Sequence, residues 1–113
     1  MPTPAEIFAS MSTNIAKHAD QATAVNSVFQ FDITGDDGGT WTVNLKQGTT
    51  SDFVTNGPSD AANVTIAMSS ADWTGITSGT VNPMQAFMMG KIKVKGDMGL
   101  ALKLQNILAL AKG

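Results

Sequence analysis

The stretch Asn82–Leu108, NPMQAFMMGKIKVKGDMGLALKLQNIL, decides the fold. It reads as helix, strand and helix in quick succession, and each boundary carries a residue with a physical reason to stand there. Asn82 is an N-cap whose side chain can accept from the unpaired N–H groups of a first turn, and Pro83 suits the first helical position because it has no N–H to leave unpaired. Gly90 can close that helix in a left-handed conformation. Lys91, Lys93 and Lys95 alternate with Ile92 and Val94, the period of a strand with one wet face and one dry face. Gly96 ends the strand and Asp97 can cap the next helix. In that last helix Leu100, Ala101, Leu104, Ile107, Leu108 and Ala111 form a core stripe, widened by Met98, Leu102 and Ala109. The apolar arc spans about 220°, against roughly 100° for an ordinary amphipathic helix, and Gln105 alone interrupts it. Two readings of this surplus stand side by side. The helix is buried or packs on a partner, or it walls an apolar cavity with Gln105 as the polar handle.

Working outward, Thr3-Pro4-Ala5-Glu6 is a capping box, followed by Ile7, Phe8, Met11 and Ile15 on one face of a helix running to about Ala19. His18 falls at its C-terminal end, where the helix dipole favours a cation. Phe29, Phe31 and Ile33 then alternate with Gln30 and Asp32, and Gly35-Asp36-Asp37-Gly38-Gly39 is a hairpin turn. Trp41, Val43 and Leu45 alternate with Thr42, Asn44 and Lys46. A weaker strand lies near Ser51–Thr55, closed by Asn56-Gly57-Pro58, and Val64, Ile66 and Met68 alternate with Thr65 and Ala67. Ser69-Ser70-Ala71-Asp72 is a second capping box, opening a short helix that carries Trp73 and Ile76 and ends at Gly79. The order is α-β-β-β-β-α-α-β-α. Period-2 alternation throughout predicts a two-layer α+β fold, a five-stranded and mostly antiparallel sheet with helices on one face. Short turns between the early strands predict hairpins or a meander.

At 113 residues the expectation is one domain over 1–113. Charged residues make up 14%, against a usual share of about a quarter, and there are seven Met. The net charge is −2 and there is no Arg, which argues against a nucleic-acid partner. The Lys91–Lys93–Lys95 row reads as a solvated sheet face that discourages edge pairing, or as a weak contact with anionic membranes. With no Cys there is no disulfide and no thiolate nucleophile. The first residues do not form a secretory signal, and no apolar run approaches the ~18 residues of a membrane span. One His and the lack of HExxH, GxSxG or P-loop patterns point away from an enzyme. The Gly35–Gly39 turn is acidic and lacks the ligand spacing of a calcium loop, so no cofactor or metal is expected.

Several segments resemble a known family. Trp41-Thr42-Val43-Asn44-Leu45-Lys46-Gln47-Gly48 resembles a strand and turn of the sterol carrier protein type 2 family, and Ala62-Asn63-Val64-Thr65-Ile66-Ala67-Met68 its next strand. The run from Asn82 to Gln105 is similar to the family's most recognisable stretch. The likeness covers essentially the whole chain and is weakest over the first helix. It implies a five-stranded sheet covered by helices, with a hydrophobic tunnel between the layers. It also implies binding and transfer of sterols, phospholipids, fatty acids and fatty acyl-CoA, with no reaction in the stand-alone domain. Eukaryotic members often end in a peroxisomal tripeptide; this chain departs there, ending in Ala111-Lys112-Gly113. The expected location is cytoplasmic, with a peroxisomal one left open by the family.

Resemblance and residues meet at one mechanism. A lipid tail leaves water for an apolar cavity, gaining about 0.8 kcal/mol per methylene, on the order of 10 kcal/mol for a C16 chain before binding costs. From the strands' inward phase the candidate lining residues are Phe31, Trp41, Val43, Ile66 and Met68. From the helices they are Trp73, Ile76, Met84, Phe87, Met88, Met98, Leu100, Leu104 and Leu108, with Gln105 as the polar contact. About half are expected to touch ligand and the rest to be core. The Lys row falls on the opposite sheet face. The expected partners are a lipid ligand and a transient membrane contact, and the expected state is a monomer. The alternative is an interaction or dimerisation module built on the apolar last helix.

Overall fold

A computed structural model describes residues 3–49, 53–103 and 107, with backbone alone at 101 and 102. The elements run α1 (Pro4–Lys17), α2 (Ala19–Thr23), β1 (Ser27–Thr34), β2 (Gly39–Leu45), β3 (Val54–Asn56), β4 (Val64–Ser69), α3 (Ser70–Ser78), α4 (Pro83–Met88), β5 (Lys93–Gly96) and α5 (Met98–Leu102). The local start signals act as their chemistry dictates. Thr3 Oγ1 accepts from the Glu6 N–H, capping α1, and donates to the Glu6 carboxylate. Ser69 accepts from the Asp72 N–H, and Asn82 Oδ1 accepts from the N–H groups of Met84 and Gln85. Asp97 Oδ1 accepts from the Gly99 N–H at the start of α5. The first helix stops at Lys17, His18 stands in the break, and a short second helix follows.

The five strands lie in the order β3-β2-β1-β4-β5. Three of the four pairings are antiparallel, as the alternation predicts, but β1 and β4 pair in parallel at the centre. The sheet is therefore mixed. The meander ends at β3, because the chain then crosses two strands to reach the far side of β1.

That crossing, residues 57–63, is tied to the outer phase of the sheet. Thr42 Oγ1 donates to the Gly57 carbonyl at 2.7 Å, and the Ser59 N–H donates to Gln30 Oε1 at 3.1 Å. Asn63 clamps the start of β1 from both ends: its Oδ1 accepts from the Val28 N–H at 2.8 Å, and its N–H donates to the Val28 carbonyl at 2.8 Å. Thr42 and Val28, which the alternation places on the wet face, are buried for this reason.

The inner phase of the sheet is almost fully dry. Phe29, Phe31, Ile33, Trp41, Val43, Leu45, Val64, Ile66 and Met68 are all buried. The helices cover them with Phe8, Met11 and Ile15 from α1, Ala22 from α2, Trp73 and Ile76 from α3, Ala86 from α4 and Leu100 from α5; Ile107 joins the same core. At the far edge, β5 begins at Lys93, so Lys91 and the buried Ile92 precede the strand rather than belonging to it. Gly96 closes β5 with φ +106°, and a Cβ there would meet the Asn63 carbonyl oxygen at 2.5 Å, so only glycine lets the chain turn this close to β4.

Candidate functional site

The layer between sheet and helices is built around a stack of three aromatic rings. Phe8 of α1 lies between Trp41 of β2 and Trp73 of α3, with ring centroids 4.6 Å and 4.7 Å away and interplanar angles of 15° and 13°. Phe31 meets both Phe8 and Trp73 in tilted geometry at 5.6 Å and 5.2 Å. Local sequence puts the rings there. Trp41 and Phe31 are cross-strand partners in the β1–β2 register, so they share the inner face. Phe8 sits on the buried stripe of α1 with Met11 and Ile15, and Trp73 lies in the first turn of α3 immediately after the Ser69 cap.

Trp73 is fully buried, and its indole Nε1–H has no hydrogen-bond partner among the described residues. A buried donor left unpaired costs about 1–3 kcal/mol, and such groups are few in folded proteins. It is a directional polar group inside a layer that is otherwise hydrocarbon and aromatic.

A groove of about 390 Å³ opens between α1 and β3, with Ala5, Phe8, Ala9, Trp41 and Val54 among its walls and Ser12, Thr13, Thr55 and Asn56 completing them. Two of the three stacked rings therefore face this opening. Its size falls within the range of small-molecule pockets, roughly 300–1,000 Å³.

Of the fifteen residues named from sequence, eight enter the buried layer: Phe31, Trp41, Val43, Ile66, Met68, Trp73, Ile76 and Leu100. Phe87 is half-buried against it. Met84, Met88 and Met98 are exposed at 40%, 81% and 49% and do not belong to it. Leu104, Gln105 and Leu108 lie outside the described residues. Phe8, Phe29 and Val54 are members of the layer or its groove that the lining set omitted. The signal for Phe8 was present, since it falls on the apolar stripe of the first helix, but a stripe does not say which of its residues meets an aromatic neighbour. Among the described residues no group of acidic or His side chains is placed to hold a metal ion. Nor is any described helix long and apolar enough to cross a membrane.

Comparison with known proteins places this geometry in context. The model of the SCP-2 sterol transfer family matches residues 8–109. The chain is 40% identical over 99 residues to the hydroxysteroid dehydrogenase-like protein 2 of Bos taurus, a match covering 88% of this chain and 22% of that protein. In structure it is similar to the apo form of sterol carrier protein 2 from Yarrowia lipolytica, with TM-score 0.80 at 24% identity, covering 95% of this chain and 90% of that one. It is also similar to palmitated SCP2L2 from Aedes aegypti, with TM-score 0.62 at 27% identity, covering 84% of this chain and 91% of that one.

Proposed function

The chain belongs to the SCP-2 sterol transfer family, and we propose that it binds a single lipid between sheet and helices and carries it between membranes. The observation that carries this reading is the indole N–H of Trp73, unpaired among the described residues, in a core of apolar side chains. A lipid pocket needs a large apolar wall and one or a few polar groups to orient the head. The inner sheet face supplies the wall, and Trp73 Nε1–H supplies a donor for a carboxylate, hydroxyl or carbonyl oxygen. The groove between α1 and β3 is the opening through which a tail reaches the layer, with Phe8 the ring that shifts to admit it. Gln105 remains the second candidate for a polar contact.

The palmitate carried by the Aedes aegypti relative supports an acyl chain as ligand. Fatty acids, fatty acyl-CoA, phospholipids and sterols all present an apolar body with an oxygen-bearing head, and the Met-containing wall favours tolerance among them. Binding needs no reaction. The dehydrogenase-like relative is far longer than this chain, and we assign no oxidoreductase step to the segment they share.

The test is uptake of a fluorescent fatty acid, with native mass spectrometry of protein purified from cells. A co-purified lipid and a dissociation constant weakened by Trp73→Phe are the expected results. Failure of the wild-type protein to bind any of the four lipid classes refutes the proposal. Unchanged affinity in both Gln105→Ala and Leu104→Trp removes the last helix from the cavity.

A further inference from the structure

The surroundings of the Trp73 N–H restrict the kind of oxygen it can hold. Among the described residues the only other buried polar side chains are Ser27 and Thr42, and neither is charged. Both hydroxyl protons are committed: Ser27 donates to the Val25 carbonyl at 3.2 Å and Thr42 to the Gly57 carbonyl at 2.7 Å. Thr42 belongs to the outer phase of the sheet. Ser27 lies four residues along β1 from Phe31, the ring of that strand that meets Trp73, which is about 13 Å of extended chain. Every described lysine is exposed, and the chain has no Arg. His18, its single histidine, stands in the break between α1 and α2. The groove that leads inward between α1 and β3 has no charged residue among its walls. Among the described residues, then, the layer offers one neutral donor, with no buried cation and no second polar side chain beside it.

Three kinds of lipid head meet this arrangement differently. A carboxylate can take the hydrogen bond, but its charge leaves water with no counter-ion, and a single neutral donor does not offset that cost. An alcohol can accept from the indole, but its own proton is then left without an acceptor in an apolar layer. An uncharged carbonyl oxygen only accepts, so one donor satisfies it and nothing is left unpaired. We propose that the head bound at Trp73 is an uncharged carbonyl. The preferred ligand is therefore a neutral acyl ester, ketone or aldehyde, ahead of an ionised fatty acid or a lipid alcohol of the same length. Trp73 is the residue that sets this preference, and the absence of a buried cation beside it is what turns the charged head away. This head-group preference rests on the lipid-binding reading and deepens it.

The experiment is displacement of a bound fluorescent fatty acid by methyl palmitate, palmitate and hexadecanol at about pH 8, where a free carboxyl group is ionised. Beside it, proton–nitrogen-15 NMR follows the two indole N–H groups of the wild-type protein, the Trp73 signal being the one lost in Trp73→Phe. Methyl palmitate is expected to bind on the order of a hundredfold more tightly than palmitate, of which its extra methyl group accounts for only about fourfold. It is expected to bind about tenfold more tightly than hexadecanol. The ester should move the Trp73 indole proton downfield, as a new hydrogen bond does, and the ester carbonyl stretch should fall in frequency on binding. In Trp73→Phe the ester should bind about tenfold more weakly and its carbonyl stretch should return to the value seen in hydrocarbon solvent. Should that variant fail to fold by circular dichroism, the wild-type indole shift and the ligand ranking decide alone. Palmitate or hexadecanol binding as tightly as the ester, or a Trp73 indole proton that stays in place when the ester is bound, overturns the proposal while the lipid-binding reading stands. If neither the fluorescent fatty acid nor any of the three ligands binds the wild-type protein, that reading fails and the proposal fails with it.

Discussion

Replacing Phe8 with Ala takes out the middle ring of the Trp41–Phe8–Trp73 stack. Phe→Ala in a packed core costs about 3–5 kcal/mol, the sum of lost transfer energy and the cavity left behind. Within that total, each offset-stacked aromatic contact is worth roughly 0.5–1.5 kcal/mol. The groove beside Phe8 is open to solvent, so water can occupy part of the space, and the lower end, about 3 kcal/mol, is expected. Against a typical domain stability of about 5–15 kcal/mol this is a large fraction, equivalent to a fall in Tm of roughly 10–15 °C. Phe8→Leu keeps most of the volume and loses the ring contacts, so its cost should be about 1–2 kcal/mol. Urea unfolding followed by tryptophan emission reports directly, because both tryptophans touch Phe8; far-ultraviolet circular dichroism must give the same midpoint for a two-state analysis to hold. A loss below about 1 kcal/mol for Phe8→Ala, with unchanged m, would refute the claim that this ring joins α1 to the sheet and to α3. Equal losses for Ala and Leu would show that volume rather than stacking matters.

Three further outcomes follow from single contacts. Trp73→Phe keeps a ring but removes the buried donor, so affinity for a fatty acid should fall about tenfold to a hundredfold, as for a hydrogen bond to a charged group. Titration of a hydrocarbon of equal length without an oxygen should show no such loss, and equal losses for both ligands would remove Trp73 Nε1 from head-group recognition. Asn63→Ala leaves the Val28 N–H without its 2.8 Å acceptor and should cost about 1–3 kcal/mol in urea melts, whereas Asn63→Asp, which retains an acceptor oxygen, should cost less. Gly96→Ala places a methyl group against the Asn63 carbonyl at a positive φ and should cost more than ~1 kcal/mol; a neutral result would show that the β5 turn relaxes freely.

Much of the architecture is legible locally. Caps at Thr3, Ser69 and Asn82 are hydrogen bonds between residues two or three positions apart, so the spacing of side-chain types suffices to place them. The inner phase of β1, β2 and β4 is likewise contained in the alternation of apolar residues, because a pleated strand sends neighbours to opposite faces. The alternating segments gave five strands, and the resemblance gave the family. Two other features were not accessible. Parallel and antiparallel partners share the same period of two, so nothing in Val64–Met68 tells that β4 joins β1 in parallel across the sheet from β3. The apolar character of Met84 and Met88 suggested an inward wall, but methionine at a helical spacing looks the same whether it faces the core or the solvent.

By itself, then, the amino-acid sequence determined most of the helix and strand segments, the helix starts at Thr3, Ser69 and Asn82, and the dry inner phase of β1, β2 and β4. These depend on periodicity and on contacts within a turn or two. Tertiary structure alone decided which strands are neighbours, that Phe8 lies between two tryptophans, that the Trp73 N–H is left without an acceptor among the described residues, and that the methionines of α4 stand outside the core. Each of these is set by groups far apart in the chain. Burial, stacking and the pairing of a polar atom belong to the three-dimensional neighbourhood, and no local pattern encodes them.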